Sequence, residues 1–165
     1  MEKLQGHNLA ELNIGRLAAP TDDPLVAEFM GALDKVNGIG KRMPGFVWMM
    51  EGSGEPGTGN TENNIGDDPQ FVANLTVWED ADSLRNFVWN TVHKQFYDRR
   101  EEWFEVMGEQ HFVMWWVPEG HEPTLEEALE RLEARKARGD SEAAFGWDHL
   151  EDAARWNEKQ CEVTA

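Results

Sequence analysis

Residues 110–117 read QHFVMWWV, and a strand built from them carries large apolar side chains on both sides. Successive strand residues point to opposite faces. Phe112, Met114 and Trp116 therefore leave one face, and Val113, Trp115 and Val117 the other. Such a strand has to be covered twice, so the chain must build layers on each side of a sheet. The stretch LAELNIGRL, residues 9–17, alternates in the same way, with Ala10, Leu12 and Ile14 on one side and Glu11 and Asn13 on the other, and is read as the first strand. In TDDPLVAEFMGALDKVNGIG, acidic capping residues and Pro24 precede Val26, Phe29, Met30, Leu33 and Val36 at helical spacing, which predicts a helix ending near Asn37 and Gly38. FVWMM, residues 46–50, is short and aromatic enough to be a second strand. It pairs across a long polar loop, residues 51–70, with a third strand, FVANLTVW, at 71–78.

From Asp80 to Met107 the apolar residues keep helical spacing but lose phase. Leu84, Phe87 and Val88 share one direction. Phe96, Trp103, Phe104 and Met107 share another, turned by roughly a third of a circle at 100° per residue. One straight helix cannot bury both sets, so a break is predicted between Asn90 and His93. With 110–117 as the fourth strand, the order is β-α-β-β-α-β: an α+β, ferredoxin-like fold with helices on one side of an antiparallel sheet. Apolar residues on the other side require a cover, for which a second copy of the chain is the simplest candidate. A further helix is expected over 124–138, capped by Thr124 with Glu127 and stopped by Gly139. The expected domain is 1–147, with AAFGW tucking Phe145 and Trp147 against the body, and 148–165 is a tail.

Asp and Glu number 32 against 15 Lys and Arg, a net charge of −17. That excess argues against nucleic acid and anionic membrane surfaces as partners, and fits either a saline habitat or a device for solubility. The single cysteine, Cys161, offers neither a disulfide framework nor a cysteine zinc motif, and no apolar run is long enough for a signal or a span, so a cytoplasmic protein is expected.

TVHKQFYDRREEWF, residues 91–104, holds the most informative polar groups. On the second helical piece His93, Phe96, Tyr97, Arg100, Trp103, Phe104 and Met107 share a broad face, which places His93 and Arg100 on the buried side. A buried guanidinium needs a carboxylate, carbonyls or a ligand anion. An imidazole in the first turn of a helix is held neutral, and can accept a proton, hydrogen-bond a phenol, or ligate a metal or haem iron. The plainer reading has the pair bracing helix against sheet. His121, in VPEGHEP, either tethers the C-terminal helix or lies over a cavity mouth, and the tether is the stronger expectation. His111 reads as an edge or interface residue. His7 and His149 have no partner pattern, and no HExxH or comparable metal spacing occurs. GEPGTGNT, residues 54–61, imitates a phosphate loop, but Asn60 replaces its lysine and no helix can follow. Six of the eight tryptophans fall in predicted elements, enough to line an apolar pocket or to fill a core.

LAELNIGRL, VNGIGKRMPGFVW, NLTVWEDADSLRNFVWNTVHKQFYDRREEWF and WWVPEGHEPTLEEALERL followed by AAFGW together resemble a bacterial family of small domains of unknown function. That family lies within the dimeric α/β-barrel group, among relatives of the antibiotic-biosynthesis monooxygenases. The resemblance implies a ferredoxin-like protomer paired back to back as a homodimer. It also implies a cavity between sheet and helices lined by Asn13, His93, Arg100, Trp103 and Trp116, with His121 near its mouth. The group includes cofactor-free oxygenases, haem enzymes, isomerases and sensors, so fold alone selects no reaction. The expectation is a monooxygenase-like or isomerase-like enzyme for a small apolar or aromatic molecule. His93 and Arg100 would be its catalytic pair, with Asn13, Trp103, Trp116 and His121 binding substrate, and with no cofactor and no metal. The alternatives are a haem enzyme with His93 as axial ligand, or a non-catalytic ligand-binding or scaffold protein. The resemblance also implies that a basic residue often follows Phe-Val-Trp. Met49 stands there in this chain, which argues against anion binding at that place.

Overall fold

A computed structural model of the chain describes residues 3–52, 64–65, 68–106 and 111–150. The elements run β1 (His7–Arg16), α1 (Ala27–Arg42), β2 (Phe46–Met49), β3 (Asn64–Ile65), β4 (Asp68–Trp78), α2 (Ala81–Asn90), α3 (His93–Asp98), β5 (Phe112–Pro118) and α4 (Leu125–Arg138), with single 3-10 turns at Pro24–Val26 and Arg100–Glu102. The antiparallel sheet has the order β2-β4-β1-β5, with β3 added on β4. This is the ferredoxin-like α+β fold expected from the sequence. β1 is a central strand, with Leu12 opposite Leu75 on one side and Val113 on the other.

Both faces of the sheet are dry. On one face Ala10, Leu12, Ile14, Ala73, Leu75, Val77, Val113, Trp115 and Val117 form a buried cluster closed by Ala128 and Leu132 of α4. The chain's own last helix packs on this face through an apolar stripe at three- and four-residue spacing. Thr124 caps α4 by accepting from the Glu127 N–H at 3.1 Å. The Glu127 carboxylate itself turns to His121, whose Nε2 lies 2.9 Å from Oε2. His121 is exposed and tethers the loop before α4. On the opposite face Leu9, Trp78 and Met114 pack against Ala81, Leu84 and Phe87 of α2, with Val36 and Ile39 of α1 beside them. Phe145 joins this second cluster by pairing with Met114 along the free edge of β5 through hydrogen bonds of 2.7 and 2.9 Å. Trp147 stacks on Phe112.

Several boundaries differ from the sequence reading for identifiable reasons. α1 continues past Asn37 and Gly38 to Arg42, and Gly40 within it is a contact point, where a Cβ would lie 3.2 Å from the Phe87 ring. The helix stops ahead of Pro44, with Met43 already extended. Gly45 enters β2 with φ of 84°, a conformation open to glycine, and a Cβ would meet Ser83 Oγ at 2.0 Å. The helix break falls at Thr91 and Val92 as expected, but the second piece is only six residues long and ends in a 3-10 turn. Phe104 then bridges Leu17 as extended chain. Among the described residues no helix is long and apolar enough to cross a membrane. The phosphate-loop imitation at 54–61, Met107, Gln110 and Cys161 lie outside the described residues.

Candidate functional site

The side of β1 that looked polar in sequence is the side the helices cover. Glu11 stands on it opposite Thr76 of β4 and Met114 of β5, and Met49 of β2 is the next residue across from Thr76. Cross-strand partners share a face, so one carboxyl group lies in a row of Met, Thr and Met beneath α1 and α2. Glu11 is 6% exposed and Thr76 3%. Thr76 Oγ1 donates to Glu11 Oε2 at 2.9 Å, and Trp78 Nε1 donates to Thr76 Oγ1 at 2.9 Å. Burial raises the Glu11 pKa to about 8, with the Thr76 hydrogen bond pulling weakly the other way. Glu11 is therefore largely a neutral acid at pH 7.

Asn13, two residues along β1 on the same face, is half-buried opposite Asn74 and Phe112. Trp116 is half-buried on that face too, opposite Leu9, with its ring 6.2 Å from Phe145. His93 is half-buried at the start of α3. Its ring lies 4.9 Å from Phe87, which in turn stacks at 5.4 Å on Trp78, the residue that begins the hydrogen-bond chain to Glu11. His93 Nδ1 is 3.2 Å from the Val88 carbonyl oxygen. A carbonyl can only accept, so the neutral ring carries its proton on Nδ1 and leaves the Nε2 lone pair to take a proton or to ligate an iron. Burial lowers the His93 pKa, with the Val88 carbonyl opposing.

Three of the sequence-derived site residues lie elsewhere. Arg100 is exposed, its Nη1 donating to the Tyr97 carbonyl at 3.0 Å and its guanidinium 4.3 Å from the centre of the Tyr97 ring. The prediction that it points inward assumed a continuous helix. Because α3 ends at Asp98, Arg100 begins a new turn and swings outward. Replacing Arg100 with alanine is accordingly expected to leave the melting temperature within roughly 1–2 °C of the native value in a thermal melt followed by circular dichroism. Trp103 is buried, but in a separate cluster with Leu17, Ala19, Val26, Phe29 and Phe96 at the far end of α1, under the Arg99 guanidinium. It is a core pillar at the far end of the helix-covered face, where Val72, opposite Gly15, joins its cluster, and it belongs to a different cluster from the residues around Glu11. His121 stands in the loop leading to α4, bound to Glu127.

Glu11 is the group that sequence reading passed over. The signal was present: if both faces of the fourth strand need cover, so do both faces of its neighbour, and a glutamate between Leu9 and Asn13 is then buried. Among the described residues there is no cluster of three or more His, Cys, Asp or Glu side chains arranged for a metal. A shallow surface groove of about 550 Å³ lies on α4, lined by Leu125, Glu126, Leu129, Glu130 and Glu133.

No curated protein matches the sequence significantly. Among solved structures the fold is similar to protein SO0527 from Shewanella oneidensis, with a TM-score of 0.50 at 10% identity over 71% of this chain and 97% of that one. It is also similar to SnoaB, a cofactor-independent oxygenase from Streptomyces nogalater, with a TM-score of 0.44 at 16% identity over 73% and 99% of the two chains. PA3566 from Pseudomonas aeruginosa follows, with a TM-score of 0.46 at 12% identity over 72% and 99%. The family profile for the domain of unknown function DUF3291 matches residues 8–161, nearly the whole chain, and the protein belongs to that family.

Proposed function

We propose that the protein is a small-molecule enzyme whose chemistry is proton transfer on an apolar, carbonyl-bearing substrate, isomerase-like or serving as the opening step of an oxygenase-like reaction. The observation that carries this reading is Glu11, a carboxyl group buried among apolar side chains and largely protonated at neutral pH. A strand interior gains no stability from such a group, and carboxyls tuned into this range serve as general acids. His93, neutral with Nε2 unprotonated, is the base assigned in this reading, at the start of α3 and linked to Glu11 through the Phe87 and Trp78 rings.

In the enolisation these groups support, His93 Nε2 takes a proton from the carbon beside the carbonyl. The C–H electron pair becomes the C=C bond, and the carbonyl oxygen receives the Glu11 proton. Enol, carboxylate and imidazolium result, with no change of oxidation state. α3 contributes no fully buried side chain and meets the core through Phe96, whose ring lies 5.7 Å from Trp103, and through His93 against Phe87.

The test follows deuterium incorporation into beta-tetralone, a neutral aromatic ketone, by NMR in heavy water. The native protein is expected to accelerate exchange over buffer, with a pH profile that falls on its alkaline side near pH 8, and Glu11→Gln is expected to lose about 100-fold or more. No acceleration by the native protein, or an equal rate from Glu11→Gln, overturns the reading.

A further inference from the structure

The hydrogen-bond chain above Glu11 runs in one direction. An indole N–H can only donate, so Trp78 gives its hydrogen to Thr76 Oγ1. The threonine hydroxyl, accepting there, turns its own hydrogen to Glu11 Oε2. Oε2 is thereby an acceptor, and the acid proton of Glu11 belongs on the other oxygen. We propose that Thr76 and Trp78 are positioning residues that hold the Glu11 carboxyl with its proton on Oε1, so that the site offers one aimed acid hydrogen to the oxygen of a neutral carbonyl compound and disfavours carboxylates. This inference rests on the proton-transfer reading above and specifies its ligand class.

The surroundings agree with that selectivity. The cluster against which this face packs, from Leu9 and Met114 to Leu84, Phe87 and Phe145, is apolar. The charged or titratable groups seen in contact with it include His93 against Phe87, His149 stacked on Phe145, Arg85 over Trp147 at its rim, and Arg135, which donates to the Phe112 carbonyl at 2.6 Å and is paired with Asp140. Arg100, the cation expected to receive an anionic ligand, is turned to solvent, and the net charge of −17 repels anions approaching from outside.

The experiment is a carbon-13 NMR titration of the Glu11 carboxyl, its resonance identified by its loss in Glu11→Gln, in the native protein, Thr76→Val, Thr76→Ser and Trp78→Phe. Valine keeps the shape of threonine and removes the donor to the carboxylate. The Glu11 midpoint is therefore expected to rise by about one pH unit in Thr76→Val, to rise less in Trp78→Phe, and to return to the native value in Thr76→Ser. Beta-tetralone is expected to quench tryptophan fluorescence in the native protein, while benzoate does not. A native midpoint in Thr76→Val overturns the positioning role, as does tighter binding of benzoate than of the ketone. Should Thr76→Val fail to fold, the Trp78→Phe midpoint decides in its place. These outcomes are distinct from failure of the underlying reading, in which Glu11 of the native protein itself titrates in the ordinary carboxyl range or Glu11→Gln exchanges deuterium at the native rate.

Discussion

Replacing Trp78 with alanine is expected to lower the melting temperature by roughly 10 °C, a larger effect than that of any surface substitution. Trp78 is completely buried at the junction of three elements. Its ring meets Phe46 of β2 edge-on at 5.5 Å and stacks on Phe87 of α2 at 5.4 Å, and its N–H is satisfied by Thr76. Truncation removes an aromatic ring from a closed space and leaves a void that β2 and α2 cannot fill without parting. Losses of this kind cost about 3–5 kcal/mol, and each kcal/mol shifts the midpoint of a domain this size by about 2–4 °C. Trp89 is the control: it is half-buried and touches Tyr97 edge-on at 5.0 Å, so Trp89→Ala should cost much less. Equal losses in thermal melts of the two variants would contradict the packing described for Trp78.

Glu11→Gln is expected to melt above the native protein at pH 9 and close to it at pH 5. The unfolded carboxyl titrates near 4.5 and the folded one at about 8. Between those values the folded state holds a proton that the unfolded state releases, so native stability declines as pH rises through that window. Glutamine keeps the size of the side chain, can accept from Thr76 and never ionises, which removes the decline. The gap at pH 9 is on the order of a few kcal/mol, since one pKa unit corresponds to about 1.4 kcal/mol. His93 acts in the opposite sense. Its folded pKa lies below the ordinary imidazole value, so stability present above pH 6.5 is lost as the pH falls through the lowered pKa. The native protein should be most stable on the acid side of neutrality, between the two effects. Denaturant midpoints for both proteins across pH 5–9 test this, and parallel curves would show that Glu11 does not titrate as described.

The arrangement of elements was legible in the sequence because periodicity reports burial directly. The two-faced β5, the alternation in β1 and the phase slip before His93 all reflect side chains that must leave water, and each has its counterpart in the structure. Less legible was anything that depends on where one element stops. Arg100 changed sides because α3 ended two residues earlier and the 3-10 turn that follows shifts the phase of its own residues, while Trp103 just beyond it is buried. Glu11 was concealed by a different assumption, that the charged side of an alternating strand faces water. In a sheet covered on both sides the same alternation places the charge inside. Gly40 shows a third limit: a glycine in a helix reads as a terminus, whereas here it is where Phe87 comes closest to α1.

β1 lies at the centre of the sheet and occupies residues 7–16, yet it gains β4 only after the whole of α1 and β2 has been made, and β5 about 100 residues later. α4, which keeps the sheet's second face from water, follows later still. A ribosome making this chain therefore releases its most hydrogen-bond-hungry strand first and its cover last. Until β4 has been made β1 stays an unpaired template strand, and one of its edges stays open until β5, so chaperones or slow translation after β2 would be expected to change the yield far more than they change the stability of the finished fold.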